Sequence, residues 1–218
     1  PLAITGGSDK PASGWDRKAT ARVWDLAAGT SHKLHQSDRA NVRAVAWLEG
    51  IPLCVSHDFG HVIAWNPVTG TRFGRESKFN TNERIEMACA VLDGIPVAIT
   101  IGDLGAGQVA NVWHLATGAC IGRTLLEGPG MVFRMACAVV DRTLIGVTGS
   151  TEGMVRTWNL RTGTPLGNPV TGHTGWVDAV ICTVLDGQPV AVTAGRDDMV
   201  RVWNLPTGEP AGLLPVPR

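Results

Sequence analysis

The 218-residue chain has no charge excess of either sign: 19 Lys and Arg balance 19 Asp and Glu. A neutral balance offers no field to hold a nucleic acid or an anionic membrane, so neither is expected as a partner. No run of 18 apolar residues occurs, and without one no helix of this sequence spans a bilayer. The opening residues Pro1-Leu2-Ala3-Ile4-Thr5-Gly6-Gly7 have neither the basic segment nor the apolar stretch of an export signal, and a cytoplasmic location is expected. The five cysteines, an odd number, form no CxxC pair. Cys89, Cys137 and Cys182 fall at one phase of a repeat, which suits small buried hydrophobes in a reducing compartment. No segment keeps a 3.6-residue apolar period over three turns, so amphipathic helices are not expected. No paired carboxylates stand outside repeating positions, which leaves acid–base catalysis unsupported; no enzyme and no cofactor are expected.

What the chain has in quantity is glycine and proline, 27 and 13 residues, above the usual share of about 12%. They punctuate a phrase that occurs five times: Val23-Trp24-Asp25-Leu26-Ala27-Ala28-Gly29, Ala64-Trp65-Asn66-Pro67-Val68-Thr69-Gly70, Val112-Trp113-His114-Leu115-Ala116-Thr117-Gly118, Thr157-Trp158-Asn159-Leu160-Arg161-Thr162-Gly163 and Val202-Trp203-Asn204-Leu205-Pro206-Thr207-Gly208. The tryptophans are 41, 48, 45 and 45 residues apart. A fixed period of this size means one supersecondary unit that recurs and buries itself against its neighbours. In the last unit an alternating run from Trp176 to Leu185 meets the hairpin dipeptide Asp186-Gly187. Pro189 to Thr193 then forms a second strand, Met199 to Leu205 a third and Glu209 to Val216 a fourth. The same order, strands a to d, reads from Asn41, Arg84 and Met131. The first unit opens directly on strand b and has no strand a.

Four strands in roughly 40–45 residues, with a tryptophan in the third, is the spacing of a propeller blade. The whole chain resembles the WD40-repeat family in its bacterial form, although the literal Trp-Asp pair occurs only at Trp24-Asp25. The fold implied is an all-β propeller domain over 1–218, with units at about 1–40, 41–83, 84–130, 131–175 and 176–218. Four blades are expected complete, after a three-stranded first. The family commonly closes a ring of seven, roughly 300 residues at this period. The chain is therefore expected to be the C-terminal piece of a longer propeller, or to be completed by a second copy.

The resemblance also implies a hydrogen-bonded chain in the fifth unit through His173, Thr193, Asp197 and Trp203. His, Asp and Thr together resemble a hydrolase triad, but their repeat positions favour a structural network. The fourth unit has Thr148 and Trp158, with Glu152 at the Asp position and Gly128-Pro129-Gly130 where the His should be. Units two and three offer no matching His and are expected to rely on packing. Partners of the family usually meet the face where the d–a and b–c loops gather. By repeat phase, that face receives Asn41 and Arg43, Arg84 and Glu86, Phe133 and Arg134, and Trp176 and Asp178. Two b–c loops there look enlarged, Ser8 to Ala19 and Gly102 to Gln108. Trp15, in the first, is either an interface anchor or folds back over its own blade.

His57-Asp58-Phe59-Gly60-His61 and His32-x-x-His35 are not expected to bind a metal, since neither lies on a helix. Gly102-Asp103-Leu104-Gly105-Ala106-Gly107 lacks the Lys-Ser/Thr of a phosphate loop. The implied function is a non-catalytic protein-interaction scaffold, the docking or sensing part of a longer bacterial signalling protein. Alternatives are a small-ligand or sugar-binding propeller and a propeller that assembles with a second chain.

Overall fold

A computed structural model describes residues 2–9, 18–33, 41–58, 61–78, 86–103, 107–128 and 130–215. Every regular element among them is a strand, and nineteen strands form five antiparallel sheets in chain order. The first has three strands, β1 (Leu2–Asp9), β2 (Lys18–Asp25) and β3 (Thr30–Lys33). The other four are meanders. The second holds β4 (Asn41–Leu48), β5 (Ile51–Asp58), β6 (His61–Trp65) and β7 (Arg72–Lys78). The third is β8 (Glu86–Leu92), β9 (Ile95–Asp103), β10 (Gln108–His114) and β11 (Cys120–Leu126). The fourth is β12 (Val132–Val140), β13 (Thr143–Ser150), β14 (Met154–Asn159) and β15 (Thr164–Thr171), and the fifth β16 (Val177–Leu185), β17 (Gln188–Gly195), β18 (Met199–Asn204) and β19 (Pro210–Pro215). This is the expected blade architecture, with the first sheet lacking its strand a.

The repeated phrase explains itself locally. Asn66 Oδ1 accepts the backbone N–H groups of Val68 and Thr69, at 2.8 and 3.2 Å, and Asn159 Oδ1 those of Arg161 and Thr162. Asp25 does the same for Ala27 and Ala28, and His114 Nδ1 substitutes for the carbonyl-type oxygen toward Ala116 and Thr117. The residue after each tryptophan therefore ties the c–d turn, as side-chain acceptors do in Asx turns. The a–b hairpins use turns with two left-handed residues, such as Asp93-Gly94 and Asp186-Gly187, whose twist matches that of the flanking strands.

Packing runs in chain order: β4 lies on β8, β8 on β12 and β12 on β16, while the first sheet meets the second through β1, β2 and β4. Three apolar clusters fill the last three junctions. Val55, Val62 and Ala64 meet Met87, Ala98, Trp113 and Leu115; Val97, Ile99, Ile101, Ala110 and Val112 meet Met135, Leu144, Trp158 and Leu160; Ile145, Val147 and Val155 meet Val177, Ala191, Trp203 and Leu205. Trp113, Trp158 and Trp203 are thus wedges, each from one blade into the apolar face of the blade before it. Burying such a side chain contributes roughly 1.5–3 kcal/mol.

The two outermost faces lack that cover. Trp24 and Leu26 of the first sheet are 37% and 59% exposed, whereas their counterparts Trp203 and Leu205 are 2% and 0%. On the far face of the fifth sheet Ile181 is 56% exposed, and Val192, Val200 and Val202 are only partly buried. No packing comparable to the inner junctions joins the first sheet to the fifth among the described residues.

Candidate protein-interaction face

The network expected in the fifth blade is present. Trp203 Nε1 donates to Thr193 Oγ1 at 2.8 Å, Thr193 Oγ1 lies 2.8 Å from His173 Nε2, and His173 Nδ1 lies 2.8 Å from Asp197 Oδ1. The set closes with Nδ1–H donating to the carboxylate and the Thr193 hydroxyl donating to Nε2. Two further partners reach Asp197 Oδ2: the Thr174 backbone N–H at 3.2 Å and Arg201 Nη1 at 2.8 Å. Burial pushes the Asp197 carboxyl up, but hydrogen bonds from His173, the Thr174 backbone and Arg201 outweigh it and hold it at about 2. Thr193 is 0% exposed and its oxygen already accepts the indole N–H. The hydroxyl is closed to solvent and committed to the indole and the imidazole.

Half of this network recurs in the third blade, where only packing was expected, and in the fourth. Trp113 Nε1 donates to Thr100 Oγ1 at 2.9 Å, and Trp158 Nε1 to Thr148 Oγ1 at 3.0 Å. In the fourth blade, Arg156 lies beside the glycine pair that replaces His. It donates to the Glu127 carbonyl and sits 5.9 Å over the Trp158 ring.

Of the residues expected at the start of strand a, Phe133, Arg134, Trp176 and Asp178 converge between the fourth and fifth blades. A register shift between Val132 and Arg134 bulges Phe133 out of β12, and another between Val177 and Ala179 bulges Asp178 out of β16. Bulges re-aim a side chain away from the ladder. The Phe133 and Trp176 rings stand 5.3 Å apart, tilted by 58°. Arg134 stacks 4.2 Å over Phe133, and Arg196 stacks 4.2 Å over Trp176. Asp178 holds both ends. Its carbonyl accepts Arg134 Nε at 2.8 Å, and its carboxylate accepts Arg196 Nε at 3.1 Å. The result is a ladder, Arg134–Phe133–Trp176–Arg196, with Trp176 38% exposed. Offset aromatic pairs and cation–π stacks fix such side chains before any partner arrives.

Arg196 was missed by sequence reading. It lies in the b–c turn, and its repeat position gives no sign that it turns onto the neighbouring d–a loop. Glu86 lies at the start of β8 and Asn41 and Arg43 within β4, where a register shift between Val42 and Ala44 marks the same bulge. Trp15 and Arg84 lie outside the described residues, as do His35 and the centres of both enlarged loops. Those loops are shorter than expected: Ser8 and Asp9 pair with Ala19 and Lys18, and Gly102 and Asp103 with Val109 and Gln108. His57 and Asp58 belong to β5, and Asp58 pairs with His61 across the hairpin. Among the described residues no three His, Cys, Asp or Glu side chains group as a metal site.

No protein-family model matches the chain, and no curated protein does. Solved structures do. The U3-55K structure superposes with a TM-score of 0.67 at 18% identity, covering 91% of this chain and 60% of that one. A chain of the mitotic checkpoint complex gives a TM-score of 0.68 at 17% identity, covering 98% and 60%. Both are WD40 β-propeller proteins. The fold of this chain is that of the WD40 β-propellers, and the chain spans 60% of the length of each of these two.

Proposed function

We propose that the chain is a non-catalytic protein-interaction scaffold and that the Arg134–Phe133–Trp176–Arg196 ladder is the centre of its binding face. The observation that carries this reading is a half-exposed tryptophan held rigid by a tilted phenyl ring and a stacked guanidinium. Aromatic and Arg anchors of this kind dominate interface energetics, and pre-ordering them lowers the entropy cost of binding. One of the two superposed chains is part of a multiprotein complex, which agrees with a scaffold role. The buried thiol of Cys54 and the partly buried ones of Cys89, Cys137 and Cys182 suit a reducing, cytoplasmic setting.

Affinity capture from extracts, with Trp176→Ala, Arg134→Ala and the distant surface control Val68→Ser, tests the face. Proteins retained by the native chain and by the control should be lost by at least about ten-fold on both ladder variants, with unchanged melting curves. Equal capture by all four proteins would sink the choice of face.

The two uncovered outer faces favour a second role, in head-to-tail assembly with another copy. Trp24 and Leu26 are the wedge half of the junction seen within the chain, and Val192, Val200, Val202 and Ile181 are the receiving half. Light scattering during size exclusion should then give a mass above the 23.0 kDa monomer. Leu26→Asp and Ile181→Asp should each abolish the larger species, and an equimolar mixture of the two should restore a dimer. A native monomer at all concentrations would eliminate this role.

A further inference from the structure

The three inner junctions are built from equivalent parts, yet one of them does not close. Between the second and third blades, Phe73 of β7 packs against the junction core; between the fourth and fifth, Leu166 of β15 does the same. Their counterpart between the third and fourth blades is Ile121 of β11, which stands 48% exposed. The following glycine tells the same story. A Cβ on Gly74 or Gly167 would lie 2.1 Å from the backbone carbonyl of Leu115 or Thr207, so these strands press directly on the next blade. A Cβ on Gly122 would be 3.2 Å from the Leu160 carbonyl. At the end of the sheets opposite the aromatic ladder, β11 therefore meets the fourth blade less closely than β7 meets the third or β15 the fifth.

The gap is an open cleft of about 200 Å³, walled by Leu92, Ile95, Val112 and Leu144 with Ile121 and Gly122 along one side. A dry apolar cavity of about 150 Å³ accepts benzene, so the cleft has room for one leucine or phenylalanine side chain. Two charged residues line it, Asp93 and Arg161. Asp93 is already paired with Arg142 at 3.0 Å. The Arg161 side chain has no ion pair among the described residues, and its counterparts in the neighbouring blades are Ala116 and Pro206. The cleft therefore combines an apolar slot with one uncompensated guanidinium.

We propose that this cleft binds the C-terminal residue of a partner protein, its large apolar side chain in the slot and its α-carboxylate on Arg161. Charge complementarity selects an anion, and Arg161 is part of the cleft lining itself, so the anion must sit close to the apolar group. A terminal leucine or phenylalanine carries both on one residue. A guanidinium–carboxylate bond is among the stronger contacts available at a partly desolvated site.

Fluorescence polarisation with a fluorescein-labelled Gly-Ser-Gly-Ser-Leu peptide tests this, with the same peptide as C-terminal amide and unlabelled 4-methylpentanoate as competitor. The free-acid peptide should bind saturably, with the amide and Arg161→Ala each weakening it by about ten-fold. Ile121→Phe, which imitates the closed junction at Phe73, should abolish binding, and Trp176→Ala should leave it unchanged. Methyl shifts of Leu92, Ile95 and Ile121 in the native protein should move on titration, which locates the site independently of any variant. Equal binding of acid and amide, undiminished binding by Ile121→Phe, absence of the methyl shifts, response to 4-methylpentanoate but not the peptide, or no binding at all would each overturn the assignment.

Discussion

Asp197→Ala is expected to lower the unfolding free energy by about 3–5 kcal/mol, the range seen when one partner of a buried ion pair is removed. The carboxylate is only 7% exposed and receives three side chain or backbone donors, from His173, Thr174 and Arg201. Its loss strands an imidazole N–H and a largely buried guanidinium, and His173 is itself fixed through Thr193 to the Trp203 wedge. Asp197→Asn keeps the volume and gives a pH test. Because the folded-state carboxyl is held at about 2, below the ordinary value of about 3.9, its contribution is fully present above roughly pH 5. It fades as pH falls toward 2. The stability gap between native protein and Asp197→Asn should therefore close on acidification, as read from urea midpoints at stepped pH. A gap that stayed constant would show that the carboxylate's charge contributes nothing.

The second large effect concerns how blades are held together. Gly167→Ala places a methyl group 2.1 Å from the Thr207 carbonyl, at a φ of +70°. The left-handed backbone alone costs an alanine about 1–2 kcal/mol, and the backbone clash must separate the fourth and fifth blades to be relieved. A loss of at least about 3 kcal/mol is expected. Gly122→Ala, at the equivalent place in β11, has no positive φ and a nearest neighbour at 3.2 Å, and should cost less than about 1 kcal/mol. Denaturant midpoints of the two variants decide it. Similar losses would mean that the third junction is as tight as the others.

Blade number, strand order and the fifth-blade network were legible because each rests on short-range sequence. The residue after the tryptophan ties its own turn, and Asp186-Gly187 twists its own hairpin. His173, Thr193, Asp197 and Trp203 lie close together in sequence, and the family resemblance implied them as one set. Phe133, Arg134, Trp176 and Asp178 were found by phase, because they share one position at the start of strand a. Their mutual stacking was not legible. It depends on the rotation between two blades, and Arg196 joins them only through that rotation. Arg201 escaped for another reason: an arginine alternating with valines in a strand reads as a solvent-facing residue, while here it bends back to the turn carboxylate. The recurring Thr–indole bonds at Trp113 and Trp158 were underestimated, since their His and Asp companions are absent. The cleft left no trace in the sequence. Ile121 is as apolar as Leu166 and Phe73. The register shift of β11 falls on Ile121, however, whereas Phe73 and Leu166 pair with Ala64 and Thr157, and the glycine that follows Ile121 lacks the positive φ of Gly74 and Gly167.

The thiols divide in a way that has practical value. Burial raises Cys54 and Cys182 to about 12 and drives Cys89 and Cys137 well above the ordinary range, so at neutral pH these four present almost no nucleophilic thiolate. Cys120 is exposed on β11, immediately before Ile121. A maleimide dye added to the native protein would attach at that one position, without mutagenesis, and carry an optical reporter to the lip of the open junction.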